Sequence, residues 1–292
     1  MKPAAFDYVR AGSVAEALAA LADGEDVRIL AGGQSLVPLM ALRLARPEVL
    51  VDITRCSELL SYGVDRQVLR VGAGVADRRL ELDREVRAAH PLLVRTLSLI
   101  AHPEIRARGT VCGSLAHADP AAELPALLLA TDGWLAVDGP GGTRRIAAAD
   151  FFTGPFSTAL AEGEMVVAAH LPLPGPTSSW VVDEISRRPG DFALAGVVVG
   201  LDTDGAGRCS RARIALFGLA GTTVRSGGAE QVLEGERMDD TVLDAAAAVC
   251  LDDVDVLGDE VHASAPYRRQ AGRALVRRAL TAAVAGLPGG PR

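Results

Sequence analysis

Lysine is almost missing from this chain of 292 residues: Lys2 stands alone, and every other basic residue is arginine. With so much alanine and glycine around them, the arginines read as genomic codon bias, so their abundance carries no functional weight. Cysteine is scarce and scattered. Cys56, Cys112, Cys209 and Cys250 form no CxxC pair, and none lies at ligand spacing from a histidine, which excludes a zinc site or an iron–sulfur cluster held by this chain. Free thiols fit a reducing compartment. No run approaches the roughly 18 apolar residues that span a bilayer, and the opening Met1-Lys2-Pro3-Ala4-Ala5-Phe6-Asp7 has no apolar signal core. A cytoplasmic protein without a transmembrane segment is expected. Positive charge is in deficit, with 30 Lys plus Arg against 37 Asp plus Glu and a net charge of -7, so nucleic acid is not an expected partner. HExxH, GxSxG and Walker A patterns are absent, which removes the motif-marked metalloproteases, α/β-hydrolases and P-loop enzymes.

What is present is the composition of an ordinary globular protein, 49% apolar and 23% charged. At roughly 150 residues per domain, the length suits two domains. Ser13-Val14-Ala15-Glu16 has capping-box spacing and opens a first helix that ends near Gly24. Val27 to Leu30 reads as a strand, Gly32-Gly33 breaks it, and Ser35 is placed to cap a second helix running to about Leu44. Val49 to Ile53 is a second strand. Asp77 through Ile100 carries helical spacing interrupted at Pro91, whereas His102 to Glu123 reads as a long functional loop. Glu123 to Ala130 returns to helix, and Trp134 to Val137, Thr143 to Ile146 and Met165 to Leu171 read as strands. Leu171-Pro172-Leu173-Pro174-Gly175-Pro176 can continue neither helix nor central strand and marks a domain boundary. Beyond it, strands near Trp180, Ala193 and Arg211 precede helices near Asp240 and Tyr267, the order of a small α+β domain.

Two glycine segments carry the chemistry. Ala31-Gly32-Gly33-Gln34-Ser35-Leu36 lies between a strand and a helix, where glycine lets backbone N–H groups approach an anion and the helix start adds positive potential. Asp52, twenty residues after Gly32, mimics the ribose-binding acid of a Rossmann site, but the third glycine of G-x-G-x-x-G is missing, so Asp52 reads as a strand-end residue. Arg108-Gly109-Thr110-Val111-Cys112-Gly113-Ser114-Leu115 offers flanking glycines and two hydroxyls, again suited to a phosphate. Each is unspecific alone. Together they have the inventory to clamp a pyrophosphate from two sides.

These segments, with Leu42-Arg43-Leu44-Ala45-Arg46-Pro47, Pro103-Glu104-Ile105-Arg106-Ala107 and His117-Ala118-Asp119-Pro120-Ala121-Ala122-Glu123-Leu124-Pro125, closely resemble the FAD-binding medium subunit of molybdenum hydroxylases of the carbon monoxide dehydrogenase and xanthine dehydrogenase family. Arg187-Arg188-Pro189-Gly190-Asp191-Phe192-Ala193-Leu194-Ala195 resembles the family signature at the start of the C-terminal domain. The resemblance implies an α+β chain: a two-lobed FAD-binding domain of the p-cresol methylhydroxylase type at 1–173, with lobes at roughly 1–55 and 56–173. A smaller α+β flavoprotein domain would follow at 177–286, and 287–292 would be a frayed tail.

The resemblance further implies FAD contacts from Ile29, Leu30, Ala31, Gly32, Gly33, Gln34, Ser35 and Leu36, and from Thr110, Val111, Cys112, Gly113 and Ser114. Ile100, Glu123, Leu171 and Leu194 match further positions that contact or line the cofactor. It implies non-covalent FAD, so His102 and His117, which flank the second segment, read as loop histidines and not as flavin tethers. It implies that the chain passes electrons from iron–sulfur clusters in a small partner subunit to an external acceptor, while a large partner subunit carries the molybdenum cofactor, the whole forming a dimer of heterotrimers. No catalytic acid or base and no metal ligand is expected in this chain. Asp119 and Glu123 could pass for an acid/base pair, although solvated loop or cap roles are open to them as well. Cys112 is expected to put extra bulk where backbone approaches phosphate. Where the resemblance leads one to expect an aromatic residue just before the C-terminal signature, this chain has Val181-Val182-Asp183-Glu184, so Trp180 or Phe192 is a candidate substitute, with a core role open to both. A stand-alone FAD-dependent oxidoreductase and a scaffold that has lost FAD are the rival readings. Carbon monoxide, a purine, an N-heterocycle or an aldehyde all remain open as substrate of the complex, and NAD, a quinone or oxygen as acceptor.

Overall fold

Strand and helix alternate at the N-terminus in β1 (Asp7–Arg10), α1 (Val14–Ala22), β2 (Val27–Leu30), α2 (Leu36–Ala41) and β3 (Val49–Asp52) of the computed structural model. The structure describes residues 2–288 apart from Glu25, Gly205 and Glu260. The three strands are parallel in the order β1-β3-β2, and the helices are the crossovers that parallel pairing requires. The capping box forms with a shift of one residue: Ser13 Oγ accepts the Glu16 N–H at 3.2 Å, and the Glu16 carboxylate accepts the Gly12 N–H at 2.8 Å. Strand β1 is exposed along its whole length and too short for a burial period, so its sequence carries no strand signal.

A second lobe contains β4 (Tyr62–Asp65), β5 (Val68–Gly72), α3 (Asp77–Leu82), α4 (Arg84–Ala89), α5 (Pro91–Leu99), α6 (Pro103–Arg106), α7 (Val111–His117) and α8 (Glu123–Ala130). It continues through β6 (Trp134–Asp138), β7 (Arg144–Ala147), α9 (Ala148–Phe151), β8 (Phe152–Gly154), β9 (Ser157–Thr158) and β10 (Met165–Pro172). Its main sheet is antiparallel in the order β4-β5-β10-β6-β7. The interruption expected at Pro91 is found, between α4 and α5, and the long loop is corrected. Pro91 starts α5 at its first position, where a missing N–H costs nothing, and His90 caps it by accepting the Leu93 N–H on Nδ1 at 3.1 Å. Burial holds that imidazole neutral, with its pKa down to about 4. The segment 102–123 is not one long loop, because α6 and α7 lie within it.

The C-terminal part consists of β11 (Ser178–Ile185), β12 (Ala195–Thr203), β13 (Cys209–Phe217), β14 (Val224–Arg225), α10 (Gly227–Leu233), α11 (Asp240–Val249) and α12 (Ala265–Ala285). Its sheet is antiparallel in sequential order. Alternation along the strands gives it two buried faces. Val197, Val199, Ile214 and Leu216 pack with the helices of this domain, while Val198, Ala215 and Phe217 join the core of the second lobe beneath α8. Leu287 is buried in the C-terminal core, so the expected frayed tail does not begin there, and residues 289–292 lie outside the described residues. The architecture is the mixed α+β arrangement expected from the sequence.

The joint between sheet and second lobe is tight at Gly196, where a Cβ would overlap the buried Phe217 ring. Gly196→Ala is expected to lower unfolding stability by about 2 kcal/mol, as overpacking of a full core does. Gly141→Ala, at a site with open space around it, should change it by less than about 0.5 kcal/mol. Thermal or chemical denaturation of the two variants checks the difference.

Candidate functional site

Both glycine segments prove to be helix starts. After β2 the chain turns at Gly33, with φ +70°, and enters α2. Ser35 sits at the N-cap with helical backbone angles and makes no cap hydrogen bond, contrary to the capping role expected of it. Gln34 folds back so that Nε2 donates to the Gly32 carbonyl at 2.9 Å. In the second segment Thr110 is extended, its Oγ1 accepts the Gly113 N–H at 3.0 Å, and α7 follows. The N–H groups of Val111 and Cys112, like that of Leu36 at the start of α2, open a helix where no i−4 acceptor exists within it, whereas the Val37 N–H already donates to the Gly33 carbonyl at 3.0 Å.

The two segments touch. A Cβ on Gly32 would lie 2.7 Å from Gly109 Cα and 2.8 Å from the Arg108 carbonyl carbon, so backbone meets backbone with no room for a side chain. Gly113 closes on the same place, its Cβ position 3.8 Å from Ala31 Cβ. Asp77 braces the second segment from behind: its N–H donates to the Gly109 carbonyl at 2.8 Å, and Ala76 pairs with Thr110. Arg106 braces it from the side. This buried guanidinium binds both Glu81 oxygens, at 3.0 and 3.1 Å, and donates to the carbonyls of Ile100 and Ala101 at 2.8 and 3.3 Å. Ile100 is thereby fixed beside the second segment.

Other expected residues fall in different places. Ile29 and Leu30 form the end of β2, partly buried, and Leu36 opens α2. Val111 is fully buried, and Ser114 lies in the first turn of α7. Leu171 is buried on β10 opposite Leu69, under α7. Cys112 is buried too, its thiol 3.6 Å from the Val71 carbonyl and its pKa pushed up to about 12 by burial. It therefore points into the core and adds no bulk to the anion-facing side, which corrects that expectation. Asp52 accepts the Thr54 N–H at 2.8 Å and the Tyr8 hydroxyl, a strand-end role as read.

The C-terminal domain reaches the site through the loop at 186–194. Leu194 donates its N–H to the Ile185 carbonyl at 2.8 Å and accepts from Arg268 at 2.8 Å. Gly190, φ +87°, approaches Ala101 so closely that a Cβ would stand 2.9 Å from its carbonyl oxygen. Phe192 is exposed on this loop, whereas Trp180 is committed elsewhere: its ring lies against Gly200 with Arg213 4.5 Å above it. Trp180 is therefore no substitute for the missing aromatic.

Three carboxyls, Glu123 and Asp77 buried and Glu184 half-buried, are held above the ordinary carboxylate range. Glu123 begins α8 with its side chain buried and its pKa up at about 8, chiefly from desolvation and then from Glu184, Asp119 and Asp77. This overturns a solvated role for it, while Asp119 does cap its own turn through the Ala121 N–H at 2.9 Å. Asp77 is raised to about 7 by burial against the opposing pull of Arg106. Glu184, on β11, is raised to about 7 by burial and by Asp183. Sequence reasoning missed Glu184, Asp77 and the Arg106–Glu81 pair; nothing in their local pattern marks them, because their partners are distant in sequence.

A dinucleotide suits this arrangement. Two adjoining helix starts with glycine walls offer backbone N–H donors and positive potential to a diphosphate, and the cradle is one that a single Cβ at Gly32 would fill. The fold and site define a two-part FAD-binding flavoprotein. Residues 4–174 match the family described as the FAD binding domain in molybdopterin dehydrogenase, and residues 180–283 match the CO dehydrogenase flavoprotein C-terminal domain. The chain belongs to this family of oxidoreductase flavoprotein subunits. It is 40% identical to the 6-hydroxypseudooxynicotine dehydrogenase complex subunit alpha of Paenarthrobacter nicotinovorans, covering 97% of this chain and 96% of that one. It is 37% identical to the carbon monoxide dehydrogenase medium chain of Hydrogenophaga pseudoflava, over 97% and 98%. Among solved structures, carbon monoxide dehydrogenase from Hydrogenophaga pseudoflava matches with a TM-score of 0.95 at 36% identity, over 99% of this chain and 100% of that chain.

Gly32→Ala is expected to push the two segments apart and weaken FAD binding at least about tenfold, the equivalent of roughly 1.4 kcal/mol; titration of the FAD-free protein with FAD measures it. The raised carboxyls also set a pH dependence. Folded Asp77, Glu123 and Glu184 hold protons that the unfolded chain releases near its ordinary carboxylate range, so the folded state binds more protons between about pH 4 and 8. Stability of the FAD-free chain therefore falls as pH rises through that window, whereas carboxyls held low, such as Asp259 at about 2, act below it. Glu123→Gln should flatten the fall and raise stability at pH 8.5 by roughly 2–4 kcal/mol, measured by denaturant unfolding at pH 5 and 8.5.

Proposed function

We propose that this chain is the electron-transfer subunit of a molybdenum-containing hydroxylase, taking electrons from iron–sulfur clusters in a partner and delivering them through non-covalent FAD to an external acceptor. The observation that carries the reading is the backbone contact of the two glycine-led helix starts at Gly32 and Gly109, the geometry a pyrophosphate needs. Bound FAD supplies the capacity to exchange electrons singly with metal clusters and in pairs with an acceptor. The chain's own part is to bind and orient. The segments Ile29 to Leu36 and Thr110 to Ser114 hold the diphosphate, with backbone N–H groups and the Ser35 and Ser114 hydroxyls as donors. Ile100, Leu171 and Leu194 wall the ring system, and Glu123 faces it as a buried, largely protonated carboxyl.

The partners follow from the same reading. A large subunit carries the molybdenum cofactor and the substrate site, a small one carries [2Fe-2S] clusters, and the assembly is a dimer of heterotrimers in the cytoplasm. Among the described residues no group of three or more His, Cys, Asp or Glu could hold a metal ion. All four cysteines are buried thiols, and among the described residues no helix is long and apolar enough to cross a membrane. The FAD-binding domain is in extent residues 1–173 and the C-terminal domain 177–286.

The deciding measurement is the absorbance spectrum of the purified chain before and after acid precipitation, joined to metal analysis of the complex isolated from its host. The expected result is flavin released to the supernatant as FAD, one per chain, with iron- and molybdenum-bearing subunits retained. A chain that stays colourless with added FAD overturns the cofactor role. FAD-dependent substrate turnover by the chain alone replaces this reading with that of a stand-alone oxidoreductase.

A further inference from the structure

Ala101 has φ +40°, a left-handed backbone conformation that is unfavourable for an L side chain, and alanine has no polar group to offset it. Two contacts meet at its carbonyl. Arg106 Nη1 donates to the Ile100 carbonyl at 2.8 Å and to the Ala101 carbonyl at 3.3 Å. From the other domain Gly190 comes so close that its Cβ would stand 2.9 Å from the Ala101 oxygen and 3.1 Å from the carbonyl carbon. The guanidinium is itself fixed, because Nε and Nη2 donate to the two Glu81 oxygens at 3.0 and 3.1 Å, and Arg78 holds Glu81 in turn at 2.8 Å. All of the Arg106 bonds leave from one planar fork, on a residue only 6% exposed.

The turn at Ala101 leads straight into the second glycine segment. The His102 carbonyl accepts the N–H groups of Ile105 and Arg106 at 2.9 and 3.1 Å, and the Ile105 carbonyl accepts those of Arg108 and Gly109 at 3.1 and 2.7 Å. Gly109 then lies against Gly32. A change of backbone direction at Ala101 is thus carried through one short helix to the contact on which the cradle depends.

We propose that Arg106 is a positioning residue for cofactor binding: its fork holds Ala101 in the left-handed region and so sets both the course of the second glycine segment and the seat on which the loop at 186–194 docks. This role rests on the FAD reading above and places no atom of Arg106 on the cofactor. A lysine keeps the charge beside Glu81 but has a single ammonium nitrogen, which cannot bind a carboxylate at two points and reach two backbone carbonyls at once. Ala101 would then relax toward negative φ, and the glycine segment and the loop seat would move with it. Glycine occupies positive φ about as readily as negative, so glycine at 101 removes the drive to relax. A buried ion pair that served stability alone would show no such dependence on residue 101.

The test is titration of the FAD-free full chain with FAD, together with the visible circular dichroism of the bound flavin and the unfolding midpoint. Wild type, Arg106→Lys, Ala101→Gly and the double variant are compared. Arg106→Lys should weaken FAD binding about tenfold, the preference of alanine against the left-handed region, and alter the flavin dichroism. Ala101→Gly alone should stay within about twofold of wild type, and the double variant should return to within about threefold, with wild-type dichroism. Wild-type affinity and dichroism in Arg106→Lys overturn the assignment, whatever its unfolding midpoint. A double variant that binds FAD as weakly as Arg106→Lys overturns it too, because the loss then comes from the ion pair and not from the turn. If Arg106→Lys does not fold, Glu81→Gln, which loosens the guanidinium from its anchor, takes its place. A loss of affinity that Ala101→Gly relieves then supports the assignment; no loss, or a loss that Ala101→Gly leaves standing, overturns it. A wild-type chain that binds no FAD fails the underlying reading before any substitution is made.

Discussion

The site depends on one close approach, Gly32 against the backbone of Arg108 and Gly109. The N-terminal lobe is built on a parallel sheet and the second on an antiparallel one, so nothing in either lobe alone brings α2 and α7 together. They meet because no Cβ intervenes. Each element behind the contact is then fixed by a specific bond: Gln34 to the Gly32 carbonyl, Asp77 to the Gly109 carbonyl, Thr110 to Gly113. The turn at Gly33, whose φ of +70° glycine adopts without strain, and a buried ion pair at Arg106 fix the course of the two segments.

The electrostatics follow from that geometry. A chain with net charge -7 has to hold a diphosphate, and its buried arginine nearest the second segment is spent on Glu81. On the proposed reading, helix starts supply attraction, each worth about half an elementary charge and effective only within the first turn. Two adjoining starts would roughly double that potential over one small volume, the advantage that so close a contact offers the proposed site. The Arg106–Glu81 pair, taken out of water, contributes more to position than to stability, since desolvation offsets most of its Coulombic gain.

Much of this was legible in the sequence because it is local. Ser13 to Glu16, Gly32-Gly33 and the proline run at 171–176 are short-range signals. The family resemblance then joined the two glycine segments, which spacing alone could not do. The misses are physical in kind. Strand β1 is fully exposed, so no burial pattern betrays it. The hairpin of β4 and β5 turns on Arg66 and Gln67, both with positive φ, in place of the Asn-Gly or Asp-Gly that would announce such a turn. Helix α7 was hidden because Gly113 and Thr110 look like loop residues, yet here the threonine is a cap and the glycine makes room for it. Glu184 and Asp77 become site residues only through burial, a property of the packed chain.

The C-terminal domain has a physical role in a site whose glycine segments both lie outside it. Its sheet shares one face with the second lobe, and it is bonded to that lobe at both ends of α8: the Gly218 N–H donates to the Pro120 carbonyl at 2.8 Å, three residues before Glu123, and Arg211 and Arg225 bind Asp132 beyond the other end at 2.7 and 2.9 Å. Arg268 holds the carbonyls of both Leu194 and Gly218, so the end of the loop at 186–194 and the strand turn beside Pro120 move as one. Gly190 seats the middle of that loop on Ala101, next to the residue Arg106 pins. A ligand that touches Glu123, Leu194 and the glycine segments together therefore binds only when the domains are docked. By linkage, binding must strengthen the docking by the same free energy. Domain packing and retention of such a ligand are in that sense one equilibrium.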